Sequence, residues 1–485
     1  MAQQLPTGPI FGVEAVIIAI LFVAILMLIG YYAYKKRIGV SVYDFFLASR
    51  TLGYIVLALS LFAAQYSGNS FIGYAAKAYR SGFVYLVYPT FMLAILPILL
   101  IVAARLIPIA TRRKLISPLD FIRERYYYGN NRGIANAIAV LSLIFLVWGT
   151  FVQFFEQAIA MGYLGEVFSG GLLPYTYMLV IFILGVIVFT VLGGFRGAAL
   201  ANALMGAIML FGLISALWLV NVHYGGIGAA VEKLSKISPK LIMTPTSTET
   251  YAWWFSTIFL VGIGAALYIH ILMHVMASRD PHTFKRTFLF TPYFYIFTAT
   301  TLLIVGICGA AAFPGLGKFE SERIVPIMVV NAAAKDPMAK VIGIIWLVAV
   351  LSATLSTAGT TITAISMTIV KDIYRTYINP NATERQAVLV GRIALILLAL
   401  LAIPIVWNPR LTIWRWTELK FEGLIQVAPA ILLGLYVPWI NDKGVLAGMI
   451  IGALTAMSLT LSGHRYVYGI HAGMIGLIIN LIVCL

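Results

Sequence analysis

Phe62-Ala-Ala-Gln65-Tyr66-Ser67-Gly68-Asn69-Ser70-Phe71-Ile72-Gly73 lies in the middle of an apolar stretch that runs over residues 48–79. That stretch is long enough to cross a bilayer, which takes about 20 residues of helix. Gln, Ser, Gly, Asn and Ser in near succession are poor helix formers, because their side chains compete for backbone hydrogen bonds. A broken helix in hydrocarbon is tolerated only where the freed backbone lines a cavity or a binding site. Freed carbonyls can coordinate a cation there, and freed N–H groups can face an anionic solute. Gln65 and Asn69 are too bulky for a surface of close helix packing alone.

A second span, 252–276, is interrupted in the same way by Gly262, Gly264, Tyr268, His270 and His274. Each broken span opens a set of five apolar segments. We therefore expect two units, 48–222 and 252–438, with the second inverted because each holds an odd number of spans. In all, about thirteen spans are expected, near 10–34, 48–79, 84–111, 132–164, 172–193, 197–222, 252–276, 287–312, 341–370, 386–406, 413–438, 444–462 and 467–485. Residues 10–34 and 444–485 then form peripheral helices around the ten, within a single transmembrane domain covering 1–485.

Composition agrees. The 485 residues are 61% hydrophobic and only 10% charged, against about a quarter charged in soluble chains. The chain is an all-α, polytopic membrane protein on this reading, with lipid as its surroundings. A net charge of +16 does not imply nucleic acid, because the basic residues sit in short loops after spans. Lys35-Lys36-Arg37, Arg112-Arg113-Lys114, Lys285-Arg286 and Lys371 with Arg375 carry this positive-inside signature. It places the N-terminus outside and the C-terminus inside a plasma membrane. The first apolar segment lacks a basic leader and a cleavage site and is expected to be a retained span. Segment 115–131 mixes aromatic and basic residues and is expected to lie along the inner surface.

Residues 352–368 hold nine hydroxyl side chains inside another span. Ala353, Ser356, Thr357, Thr360 and Ala364 share one helical face. A hydroxyl at i+3 or i+4 lies beside the carbonyl of residue i, so the Ala353 carbonyl and the Ser356 and Thr357 hydroxyls converge. Three neutral oxygens suit a hard cation held weakly enough to leave.

Other polar residues carry weaker signals. His270 and His274 have a metal-ligand spacing, but no nearby carboxylate or cysteine completes a transition-metal site. Intramembrane charges mark function by default. They are Lys77, Glu156, Arg415, Glu418, Lys420 and Glu422, of which Lys77 and Arg415 are expected to snorkel to the outer surface. No catalytic constellation is present: no phosphate loop, no paired aspartates, no His-Glu-x-x-His. The chain is not read as an enzyme and needs no cofactor.

These residues resemble the solute:sodium symporter family, the group of proline, pantothenate, monocarboxylate and sodium/glucose cotransporters. The likeness covers roughly 40–460. It rests on Ser60 to Gly73 with Tyr79-Arg-Ser-Gly82, on Val191-Leu-Gly193-Gly194-Phe-Arg196, on Leu355-Ser356-Thr357 before Lys371-Asp372-Ile373-Tyr374, and on Gly434-Leu-Tyr436 before Asp442-Lys-Gly444-Val-Leu-Ala447-Gly448. The resemblance implies a LeuT-type core of five plus five helices with the first and sixth broken. It implies sodium-coupled symport of a small organic solute by alternating access, the solute being a monocarboxylate, a pantothenate-like acid or an amino acid. It implies a sodium site made of the Ala63, Tyr66 and Ala353 carbonyls with Ser356 and Thr357. Gln65, Ser67, Gly68, Asn69, Gln153, Tyr268 and His270 are the candidates for the solute site. Two departures stand out: Gln65 replaces an acidic residue of the proline transporters, and Asn202 replaces an aspartate of many members. They keep open a proton-coupled or uncoupled carrier on the same scaffold.

Overall fold

A computed structural model describes residues 10–35, 50, 52–127 and 132–485, with no side-chain detail for 30–35 and 192–199. In hydrocarbon the backbone must satisfy its own hydrogen bonds, and the described chain is nearly all helix. In order, the helices are α1 (Val13–Lys35), α2 (Tyr54–Gln65), α3 (Ala75–Ser81), α4 (Val87–Arg112), α5 (Pro118–Tyr126), α6 (Arg132–Phe168), α7 (Tyr175–Tyr224), α8 (Gly226–Ile237), α9 (Thr248–Ala266), α10 (Ile269–Met276), α11 (Pro281–Arg286), α12 (Thr291–Ala312), α13 (Ile324–Ala333), α14 (Pro337–Thr368), α15 (Glu384–Val406), α16 (Ile413–Leu424), α17 (Gly434–Tyr436), α18 (Asp442–Leu461) and α19 (Ala472–Cys484).

Both expected breaks are present. α2 stops at Gln65, Tyr66 is extended (φ −91°, ψ 125°), and the chain resumes as a wide helical turn over Asn69–Tyr74 that leads into α3. α9 and α10 are bent by 58° at Leu267 and Tyr268. α14 is the central strut, packed against α7, α6 and α2. α16 packs on α6, and α9 on α4.

The count of thirteen spans is not established by helix length. Among the described residues eight helices are long and apolar enough to cross a membrane, or nine with α9 and α10 taken together. Shorter apolar helices cover Val13–Ile29, Tyr54–Gln65, Tyr175–Val191 and Ala472–Cys484. The two spans expected over 172–193 and 197–222 run as one helical stretch, α7. Glycine permits a break there but does not compel one. The side chains of Gly193, Gly194 and Arg196, which carried part of the resemblance, lie outside those described.

The surface segment expected over 115–131 contains α5, started by a reciprocal cap in which the Ser117 hydroxyl accepts from Asp120 N–H and the Asp120 carboxylate accepts from Ser117 N–H. Its Leu119, Phe121, Ile122 and Tyr126 are buried, so α5 is docked on the bundle instead of lying free.

Arg415 does not snorkel. Its guanidinium is 3.0 Å from both Glu418 and Glu422, with 9% of the side chain exposed. Glu418 also accepts from Trp414 at 2.8 Å and from Tyr466 of a two-strand hairpin, Tyr466–Val467 with Ile470–His471. Two carboxylates within reach make pairing cheaper than a path to water. Lys77 lies with its ammonium over the Trp253 and Trp414 rings, 5.4 and 5.8 Å from their centroids. Removing one member of a buried pair leaves the others uncompensated and costs roughly 3–5 kcal/mol. Arg415→Met is therefore expected to lower the thermal midpoint of the purified protein clearly, and the triple change with Glu418→Gln and Glu422→Gln to recover most of it. A fluorescence-monitored melt checks both.

Candidate cation and solute site

A helix end leaves its last carbonyls without helical partners. At the end of α2 the Phe62 carbonyl accepts from Tyr66 N–H at 2.9 Å, and the Ala63 carbonyl is free to turn outward. Two hydroxyls of α14 reach it, Ser356 Oγ at 2.8 Å and Thr357 Oγ1 at 3.2 Å. Ser356 Oγ is also 3.1 Å from the Ala353 carbonyl. Four of the five expected cation ligands thus converge, all buried. The fifth, Tyr66, has the extended backbone that swings its carbonyl out of the helical line.

The rest of the hydroxyl run behaves differently. Ser352, Thr354, Thr360, Thr361 and Thr368 return hydrogen bonds to carbonyls of α14 itself, four residues earlier, at 2.8–2.9 Å. Ser366 donates to Gly391 of α15. Ser356 and Thr357 alone among these residues with recorded bonds cross to the broken helix.

The solute candidates gather next to this point. Gln65, Asn69, Tyr74, Gln153, Tyr268 and Phe421 line one small cavity. Gln65 Nε2 donates to the Ala265 carbonyl at 3.1 Å, so the two broken helices touch at their breaks. α6 reads the first break with a polar face. Gln157 accepts from Gly68 N–H at 2.8 Å, and both Gln153 and Gln157 donate to Ser67 Oγ at 3.3 Å. Tyr268 donates to Gln153 Oε1 at 3.0 Å. Gly68 has no room for a side chain, since a β-carbon there would overlap the Thr354 methyl.

His270 stands apart from the cavity wall. Its ring stacks on Tyr268 (centroids 5.0 Å apart, 30° between planes), and neither ring nitrogen has a hydrogen-bond partner. His274, four residues on, bonds Ser60 and the His270 carbonyl and is not paired with His270 as a metal ligand. Asn202 is buried on α7 with both amide atoms unpartnered.

Three participants were not assigned from sequence. Gln157 carried the signal of a second glutamine one turn after Gln153. Thr417 and Lys420 of α16 reach Glu156 of α6, which also accepts from Asn69 Nδ2 at 2.5 Å. Opposite charges in two apolar spans are the sequence trace of that contact.

Charged contacts tie elements together at two ends of the bundle. At one end Arg123 of α5 binds the Asp372 carboxylate at 2.5 Å and Lys371 binds Asp120 at 2.9 Å. Arg125 donates to the Gly434 and Val437 carbonyls at 2.7 and 2.9 Å. At the other end Arg80 of α3 binds the fully buried Glu322 at 2.7 Å, and Glu322 accepts from Ile413 N–H at 3.2 Å. Tyr79 donates to the Phe313 carbonyl at 2.7 Å.

The sodium:solute symporter family matches residues 45–452. The chain belongs to this family. It is 28% identical to the sodium/pantothenate symporter of Escherichia coli (strain K12), over 97% of this chain and 95% of that protein. It is 25% identical to an osmoregulated proline transporter of Bacillus subtilis (strain 168), over 97% and 94%. A Na⁺-coupled sialic acid symporter, solved in a substrate-bound outward-open state, superposes with a TM-score of 0.80 at 16% identity, over 98% and 97%. The protein is a multi-pass membrane transporter with a LeuT-type fold, a sodium-coupled symporter and not an enzyme.

Each set of charges ties one element to another at an end of the bundle. Asp372→Asn is expected to loosen the Arg123 end. In protein carrying Cys308→Ala, Cys484→Ala and Ala265→Cys, labelling of the cavity thiol by a charged methanethiosulfonate added at that end should then speed up about tenfold. Mass spectrometry of the labelled fraction measures it.

Proposed function

We propose that this symporter holds Na⁺ between the Ala63, Tyr66 and Ala353 carbonyls and the Ser356 and Thr357 hydroxyls. The observation that carries the reading is the convergence of both hydroxyls on the Ala63 carbonyl. Without the ion, the hydroxyl protons satisfy that carbonyl. With it, the same oxygens turn their lone pairs inward, and three neutral carbonyls and two hydroxyls suit a hard monovalent cation.

Gln65, Ser67, Gly68, Asn69, Gln153 and Tyr268 form the solute site, with His270 supporting Tyr268. The solute is a small organic molecule of the class carried by the relatives: a monocarboxylate, a pantothenate-like acid or an amino acid. Residues 48–222 and 252–438 act as the two inverted repeats. The basic loops put the Arg123 end of the bundle in the cytoplasm, the N-terminus outside and the C-terminus inside the plasma membrane.

Energetics support a scavenger. One charge moved inward yields about 2.3 kcal/mol per 100 mV, and a tenfold ion gradient adds about 1.4 kcal/mol. With a neutral or zwitterionic solute, one sodium per cycle supports accumulation by several hundredfold on that arithmetic; with a monocarboxylate, one-to-one symport moves no net charge and the tenfold ion gradient alone supports about tenfold accumulation.

The test is uptake into proteoliposomes of radiolabelled pantothenate, lactate, proline and glucose, with sodium or choline outside and at two pH values. Uptake of at least one solute is expected to fall more than tenfold in choline and to respond little to pH. Uptake equal in choline, or driven by a pH gradient instead, would overturn sodium coupling through this site.

A further inference from the structure

The two fully buried charges behind the cavity are not needed for the cation site. Lys420 of α16 and Glu156 of α6 pair directly, each 0% exposed. They come from two packed helices that each lend a residue to the cavity wall, Gln153 of α6 and Phe421 of α16. An ion pair taken out of water is a weak source of stability, because desolvation offsets most of its attraction. In a membrane span such a pair marks a pathway or a ligand by default.

The pair is unequal. The Glu156 carboxylate has three donors: Lys420, Asn69 Nδ2 at 2.5 Å and Thr417 Oγ1 at 2.8 Å. It keeps two if the ammonium turns away. The Lys420 ammonium has three protons to donate, and two oxygens take them, Glu156 Oε2 and Gln153 Oε1. Its remaining direction faces the rings of Tyr268 and Phe421, 5.7 and 5.1 Å from the centroids. Both rings, and Gln153, are walls of the solute cavity. A four-carbon stem lets the ammonium swing toward that space, where a rigid guanidinium would not follow.

Charge balance then selects the solute. The proposed cation site is built of neutral oxygens, so a bound Na⁺ adds one positive charge to a buried site. Lys420 and Glu156 together add none. A neutral or zwitterionic solute leaves that charge uncompensated, whereas a single carboxylate cancels it. Net charge in a low-dielectric site is costly.

We propose that Lys420 is the anchor for the solute's carboxylate, that Glu156 holds the ammonium while the cavity has no solute, and that the solute is an organic monocarboxylate. This rests on the symport reading above. Binding exchanges one carboxylate partner of Lys420 for another, and the Glu156 carboxylate keeps its two neutral donors, Asn69 and Thr417.

Three measurements test it. In wild-type proteoliposomes, lactate or pantothenate should be taken up with sodium, and the corresponding lactamide or pantothenol should compete at least a hundredfold less well. The variant Lys420→Met with Glu156→Gln removes both charges and leaves no buried ion unpaired. It should keep the sodium-induced rise in thermal midpoint measured without solute, and lose protection by the acid. Lys420→Arg, which keeps the charge without the flexible stem, should raise KM for the acid about tenfold or more. The proposal is overturned if the amides compete as well as the acids, if no carboxylate in the panel is taken up or protects, or if the doubly neutral variant transports the acid with KM within threefold of wild type. Absence of a sodium effect in wild type, with acid uptake still lost in the variant, would instead overturn the coupling reading and leave the anchor standing.

Discussion

A carbonyl at a helix end inside a membrane must find a partner, and at Ala63 that partner is a pair of hydroxyls from α14, 2.8 and 3.2 Å away. Much of the arrangement follows from this. α2 can end at mid-membrane because its orphan carbonyl is satisfied, and α14 is held against it by the same bonds. The hydroxyl oxygens that satisfy the carbonyl are also the ones a cation would use. In the proposed site, ion binding would replace hydroxyl–carbonyl bonds that already hold the first broken helix on α14. Neutral ligands keep the cost of releasing the ion low, which a transporter needs as much as it needs binding.

The first break communicates with the rest of the core by short polar contacts. Gln65 reaches the second break at Ala265, and Ser67, Gly68 and Asn69 are read by Gln153, Gln157 and Glu156 of α6. A shift of α2 relative to α14 would alter all of these. The ties at the two ends, Arg123 with Asp372 and Arg80 with Glu322, are each anchored on an element next to these breaks: Arg80 on α3, and Asp372 just past α14.

Much of this was legible in the sequence because the bilayer penalises polar groups so heavily. Gln65 to Ser70 and Tyr268 to His274 stand out in apolar surroundings, and both breaks fall where they do. The hydroxyl pair at Ser356 and Thr357 was legible for the same reason. Less legible was anything set by contact between distant helices. Arg415 looked free to snorkel because a single sequence does not show that Glu418, Glu422 and a hairpin tyrosine surround it. Lys420 and Glu156 were visible as charges 264 positions apart, but not as a pair. His270 was grouped with the solute residues as a polar residue in the broken span, whereas its ring stacks on Tyr268 and does not line the cavity. Helix lengths were also poorly fixed, since a Gly-Gly pair allows a break over 172–222 without forcing one.

The account centres on one cation shared by Ala63 and the two hydroxyls of α14. Equilibrium binding of ²²Na⁺ to purified protein without solute tests it most directly. Wild-type protein should bind saturably, and Ser356→Ala with Thr357→Ala should weaken binding at least tenfold while the protein stays folded. Unchanged ²²Na⁺ affinity in the folded double variant would contradict the account.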